Sequence, residues 1–390
     1  MFIDKLILFP YWLVLRVRHF AYDKGFIVKS RPADVPTVCI GNITAGGTGK
    51  TPHAEMILDM LLHSDEWGFR NIALLSRGYK RKSKGFQQVT YDGAASFYGD
   101  EPLQIKKKFP SVTVAVHKNR IKGCRYLCNP SLLENTRAGK KCLNKDFYPS
   151  DVIVLDDALQ YRKLKPAYSI MLVDYNRPVT RDMLLPFGRL RDLPYRITKA
   201  DVIIITKCPA FLENSDRESF LLKMGYTRYD PIQCEVVNKA GMTQKVFFTS
   251  IEYLPMEKVF EEADPRYVYS KKLVLFTGIA KALPLKRYLS DKYKVVKHMS
   301  FKDHHNYSGS DVRTIDKAAS QFRTAVVATT EKDAQRMLDS KKVTDQLKAR
   351  MFQIPIRVFF LSEQERTVFK SGLLHTLRRA KEEKEVLERI

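Results

Sequence analysis

The chain predicts an α/β fold built on a doubly wound, mostly parallel sheet, and three observations carry that expectation. Short apolar runs recur along the sequence, each followed by a helical pattern, the alternation that builds parallel sheets. A glycine-rich stretch ending Gly49-Lys50-Thr51 joins the first such run, Thr37-Val-Cys-Ile40, to the first such helix. A later run, Val152-Ile-Val-Leu155, ends in two adjacent carboxylates, Asp156 and Asp157.

The residues before the first strand have their own character. From Leu6 to Leu15 the chain is apolar, interrupted only by Pro10, and Arg16, Arg18, His19 and Lys24 follow. That run is too short to span a bilayer, and no small-residue cleavage site follows it. Apolar bulk with Tyr11, Trp12 and flanking arginines predicts, for residues 1–28, a helix lying in a membrane interface. The competing expectation is a helix docked on the protein's own core.

Next come Thr44, Ala45, Gly46, Gly47, Thr48, Gly49, Lys50 and Thr51. The glycines let backbone N–H groups curl around a phosphate, and the helix after them turns its positive end toward the anion. Lys50 reaches the β- and γ-phosphates, and the Thr51 hydroxyl suits Mg²⁺. Thr44 stands where the strict pattern has its first glycine. Met56, Ile57, Met60 and Leu61 put one apolar face on the helix. The fold is therefore P-loop NTPase-like, with ATP and Mg²⁺ as expected ligands.

Asn71 to Leu75 reads as a second buried strand, and the basic loop from Ser76 and Arg77 to Gly85 leaves its carboxyl end, where open α/β sheets bind ligands. Asp100 and Glu101 stand at the start of a helix, and Val112 to Val116 is another strand with Arg120 opening the helix after it. Residues 129–150 are polar and lysine-rich and read as a surface insertion. At the end of the strand 151–157, a carboxylate beside the phosphate loop holds Mg²⁺ directly or through water, with Gln160 within reach. Strands at 170–173 and 202–206 complete a domain spanning 29–235. A smaller α/β domain over 236–360 follows, with strands at 273–276 and 325–328, and then a charged helix over 361–390.

Composition narrows the partners. The 390 residues carry a net charge of +24, which favours an anionic partner such as nucleic acid, an anionic membrane surface or a phosphorylated substrate. The six cysteines are scattered without a zinc spacing and read as free thiols.

Several segments together resemble one family. Gly41 to Pro52, Ser76-Arg-Gly-Tyr79, Gly99-Asp-Glu-Pro102, Leu155 to Gln160, Leu185 to Arg191, Asp303-His304 and Thr330-Glu-Lys-Asp333 follow the order seen in the tetraacyldisaccharide 4′-kinases of lipid A biosynthesis. Thr44 is itself a feature of that family. Departures are modest: Tyr161 replaces a histidine, Lys302 replaces a proline, and the 129–150 stretch is longer than usual.

The resemblance implies transfer of the ATP γ-phosphate to the 4′-hydroxyl of a tetraacylated disaccharide 1-phosphate, giving lipid IV-A. It implies Asp100 as the base, with His304 orienting it, and a Mg²⁺ shell drawn from Thr51, Glu101, Asp156 and Asp157. Arg77, Arg120, Gln160 and Arg191 become candidates for substrate or phosphate contacts. It also implies work at the cytoplasmic face of a bacterial inner membrane, as a peripheral or monotopic protein, with no nucleic acid and no obligate protein partner. Two rival readings of the residues remain. A basic P-loop ATPase acting on nucleic acid would show stacking aromatics in a basic groove. A nucleotide-dependent membrane adaptor would lack a working Asp100–His304 pair.

Overall fold

The computed structural model describes residues 2–26, 29–134, 136, 139–303, 305–340 and 342–388. Its larger sheet contains β1 (Thr37–Gly41), β2 (Ile72–Ser76), β3 (Gln87–Gln88), β4 (Thr113–Val116), β5 (Val152–Asp156), β6 (Tyr168–Asp174), β7 (Val202–Thr206), β8 (Tyr226–Asp230), β9 (Glu235–Asn238) and β10 (Thr243–Tyr253). They lie in the order β3-β4-β2-β5-β1-β6-β7-β10-β9-β8. From β4 to β10 every neighbouring pair is parallel. β1 is central, so the glycine-rich loop leaves the middle of the sheet between the ends of β5 and β6.

A parallel sheet must bury both faces, and the side chains alternate accordingly. In β6, Ile170 and Leu172 join one core while Met171 and Val173 join another. The helices over these faces include α1 (Phe2–Asp23), α2 (Lys50–Leu62), α3 (Ala95–Tyr98), α4 (Asp100–Lys108), α5 (Arg120–Cys128) and α6 (Asn214–Lys223).

The smaller sheet is formed by β11 (Glu257–Lys258), β12 (Lys272–Thr277), β13 (Lys294–Ser300), β14 (Val326–Thr330) and β15 (Met351–Ile354), in the order β11-β15-β14-β12-β13. Its helices are α7 (Leu283–Ser290), α8 (Gly309–Gln321), α9 (Glu331–Leu338) and α10 (Asp345–Lys348). The chain then returns. β16 (Ile356–Phe360) pairs antiparallel with the second half of β10, matching Thr249 to Phe360 and Tyr253 to Ile356. The last helix, α11 (Glu363–Glu388), lays Phe369, Leu373 and Leu377 into the same core as Val38 and Ile40.

Two sequence expectations take a fuller form. Residues 129–150 are not purely superficial: Leu133 and Cys142 are buried in the same core as Leu75 and Leu155, because this polar segment must still help cover one face of a two-faced sheet. The N-terminal segment is a helix docked on the protein's own core along one face. Leu15 and His19 are buried, and Leu8 and Tyr11 pack against the core. The opposite face exposes Phe9, Trp12, Leu13, Val14, Val17 and Phe20. Among the described residues no helix is long and apolar enough to cross a membrane. The six cysteines are free.

Candidate active site

Because β2, β4, β5, β1, β6 and β7 are parallel, their carboxyl ends share one edge, and chemistry-bearing residues gather there. Gly46, Gly47 and Gly49 have φ values of 84°, 27° and 89°, conformations in which a side chain would be strained. The loop is braced from several sides. Asn42 donates from Nδ2 to Thr48 Oγ1 at 2.6 Å. The Ala45 N–H donates to the Arg189 carbonyl at 2.6 Å, and the Arg191 N–H to the Ile43 carbonyl at 2.7 Å. Thr44 bridges to Leu190. The 189–191 segment thus lies alongside the loop as a short antiparallel support.

Lys50 Nζ stands 3.8 Å from Asp157 Oδ1. Arg191 reaches the same oxygen at 3.1 Å and also donates to Asn42 Oδ1 at 2.5 Å. Burial pushes the Asp157 carboxyl up, but Lys50 and Arg191 outweigh it and hold it below the usual range. Asp157 has φ 48°. A non-glycine residue in that region carries a local cost that surrounding contacts must sustain.

Asp156 is buried, with Oδ2 accepting from Ser76 Oγ at 3.1 Å and Oδ1 without a partner. Burial, Glu101 and Asp157 together raise its pKa to about 6. A buried carboxylate oxygen with no donor, pressed by two further carboxylates, suits a divalent cation. Among the described residues no three carboxylate, histidine or cysteine side chains could hold a metal by themselves. A cation held here would need hydroxyl, phosphate and water oxygens to complete its shell. Thr51, nearly buried at the head of α2, brings the hydroxyl.

Asp100 and Glu101 form the first turn of α4, after Gly99 in a left-handed conformation (φ 101°). Both meet cations from the other sheet's layer. Arg336 donates to Asp100 Oδ2 and Lys332 to Glu101 Oε1. Burial raises the Glu101 carboxyl and Asp100 adds to that, yet Lys332 and Lys50 together hold it below the usual range. The charges of Lys50 on Glu101, and of Glu101 on Asp156, make the two halves one electrostatic site.

The other expected residues fall in distinct places. Arg120 is buried and donates to the backbone carbonyls of His117 at 2.7 Å and Asp156 at 2.9 Å, bracing the end of β5. Gln160 donates to the Asn42 carbonyl, so its amide holds the loop. Arg77 is exposed just past β2. His304 lies outside the described residues.

Sequence reading gave no role to Lys332 and Arg336, and it passed over Lys207 and His53. Lys207 (φ 59°) follows β7, donates to the Gly47 carbonyl and pairs with Asp174 at 2.8 Å. A lysine directly after an apolar strand at the ligand-binding edge was the available signal. His53 bridges the Gly49 carbonyl at 2.7 Å and Thr249 Oγ1 at 3.0 Å, and burial lowers its pKa to about 4. It sits one turn into a helix, where nothing local marks it.

The family model for tetraacyldisaccharide-1-P 4′-kinase matches residues 6–377. The chain is 34% identical over 369 residues to a tetraacyldisaccharide 4′-kinase of Phocaeicola vulgatus, covering 93% of this chain and 91% of that one. It is 34% identical over 364 residues to a protein of the same name from Flavobacterium johnsoniae, covering 92% and 94%. Among solved structures, LpxK from Aquifex aeolicus, crystallised in complex with ATP, aligns with a TM-score of 0.64 at 24% identity. That alignment covers 97% of this chain and 99% of the other, a likeness of fold.

Proposed function

The chain belongs to the tetraacyldisaccharide-1-phosphate 4′-kinase family, and from that premise we propose how its own residues do the work. The activity is ATP-dependent phosphorylation of the 4′-hydroxyl of a tetraacylated disaccharide 1-phosphate in lipid A synthesis, giving lipid IV-A. The observation that carries the assignment of roles is the convergence at one sheet edge. Lys50 faces Asp157 at 3.8 Å, beside the partnerless Asp156 Oδ1 and the Asp100–Glu101 pair.

Phosphoryl transfer demands that the protein position its reactants and neutralise charge. The loop amides from Thr44 to Gly49 and the Lys50 ammonium grip the β- and γ-phosphates. Arg191 holds Asp157 and Asn42 together and so keeps the loop and the end of β5 in register. Lys207 braces the loop from the side of β7. Asp100 accepts the proton of the attacking 4′-hydroxyl as the new O–P bond forms and the bond to the ADP oxygen breaks. His304 is the partner that the family resemblance gives to Asp100. When bound, Mg²⁺ supplies charge neutralisation at the phosphate oxygens; Asp156 and Thr51 would hold it, with Glu101 and Asp157 ordering its outer shell. Arg77, exposed at the same edge, is placed to meet an anionic substrate.

The assignment is tested with detergent-dispersed lipid disaccharide and labelled ATP. Asp100→Asn and His304→Ala each lower kcat, by about 10²–10⁴-fold for the base, while ATP still binds. The double variant is little slower than the slower single one. Losses that multiply would separate the two residues and end the dyad reading.

The exposed apolar face of α1, together with the basic chain, supports peripheral binding at an anionic membrane surface. The double variant Val17→Asp/Phe20→Asp should stay in the supernatant when spun with phosphatidylglycerol-containing vesicles. Unchanged sedimentation would assign the anchoring to another surface.

A further inference from the structure

The roles above use Asp100 and Glu101 but leave unexplained why two cations of the smaller layer reach across to them. Lys332 and Arg336 are four residues apart, one turn of α9, so they project from one face. That face lies over the head of α4, where the adjacent carboxylates begin the helix. Arg336 is a shared cation: one amino group serves Asp100 Oδ2, and the other donates to Asp333 Oδ1 at 2.9 Å.

Asp333 is fully buried and immobilised. Its Oδ2 accepts from the Gly278 N–H at 2.9 Å and from Thr330 Oγ1 at 2.7 Å. Asp100 is thereby tied through Arg336 to the interior of the smaller sheet. Further contacts fix the register of α9. Asp339 accepts from the N–H groups of Ala95 and Ser96 at 3.1 and 2.8 Å, and Lys108 lies 3.6 Å from Glu331.

A surface ion pair is worth little and holds nothing in place. This one differs in burial and in backing, since the Arg336 side chain is 8% exposed and anchored on a carboxylate with no exposure. Such a chain ties the Asp100 carboxylate to a buried anchor, and misplacing a reacting group by about 1 Å can cost about 10²-fold in rate.

We infer that Arg336 and Lys332 are positioning residues of the kinase. They act through Asp100 and Glu101, so the site on the larger sheet is complete only with α9 docked against α4. The inference rests on Asp100 being the residue that takes the hydroxyl proton.

The test is a kinetic cycle on the full-length enzyme with lipid substrate and ATP, each variant's melting temperature being recorded. Arg336→Gln should lower kcat by about 10–100-fold with the KM for ATP within about twofold of the parent. Arg336→Lys, which keeps the charge, should recover most of that loss. Asp100→Asn/Arg336→Gln should be no slower than Asp100→Asn. A parental kcat in Arg336→Gln overturns the inference, and so do losses that multiply in the double variant. Should Arg336→Gln melt below the assay temperature, the half-exposed Lys332 carries the test. Lys332→Gln should lower kcat several-fold at unchanged KM for ATP, and a parental kcat overturns the inference. An Asp100→Asn enzyme as fast as the parent removes the base assignment and this inference with it. An impaired Asp100→Asn beside a normal Arg336→Gln removes the inference alone.

Discussion

The two halves of the site are built in opposite ways. On the phosphate side, Asn42 to Thr51 form one continuous stretch, and its supports are the 189–191 loop segment and Lys207 just past β7. On the carboxylate side, Asp100 and Glu101 belong to the larger sheet's layer while their cations come from α9, over the smaller sheet. One half is a local device held by parallel-strand geometry. The other is a junction between two layers, and it exists only while they are docked. Damage to the first should therefore be read in nucleotide binding, and damage to the second in turnover.

The sharpest way to break that comparison is Lys50→Ala. Losing the cation at the β- and γ-phosphates should cost about 10²–10³-fold in kcat and weaken ATP binding as well. Unaltered ATP affinity by calorimetry would erase the distinction. Arg191→Ala comes next. It strips the charged contacts that join Asp157 to Asn42, each worth about 1.5–3 kcal/mol. A rise of about tenfold or more in the KM for ATP is expected, and a pure kcat effect would place Arg191 with the other half.

The smallest effect belongs to the junction. Glu331 sits near Glu55 and Lys108, and burial, reinforced by Glu55, raises its pKa to about 7. A carboxyl whose folded pKa is raised binds its proton more tightly in the native state. Stability therefore falls as pH rises from the unfolded value near 4.5 through about 7. Glu331→Gln removes that titration. It should raise the melting temperature at pH 8 relative to the parent while doing little near pH 5. Equal shifts at both pH values would show that the buried charge is fully compensated.

The same contrast explains what could be read from the sequence. The phosphate loop, the strand ending in Asp156 and Asp157, and the alternation of strands and helices are local patterns whose meaning follows from period and spacing. Lys332 and Arg336 are charges on a short amphipathic helix, a pattern that ordinarily means a solvated face, and their partners lie at Asp100 and Glu101. The pairing of Ile356–Phe360 with Thr249–Tyr253 was invisible for the same reason. An antiparallel partner across an intervening sheet leaves no mark on either segment. The docked face of α1 was half legible. Its apolar bulk could be seen, but the buried His19 bond to Asp192 at 2.5 Å depends on a loop far along the chain.

The return of the chain to the larger sheet bears on how the protein is made. The smaller sheet draws its strands from Glu257 to Ile354, a continuous stretch with its own core. The core beneath the nucleotide loop takes in Phe360 of β16 and Phe369, Leu373 and Leu377 of α11 from the returning chain. Each buried side chain of this kind contributes about 1.5–3 kcal/mol. On the ribosome, the segment synthesised second can therefore finish folding first, while the amino-terminal layer waits with an open apolar face for the last helix to emerge. A chain interrupted before that helix would leave this apolar face uncovered.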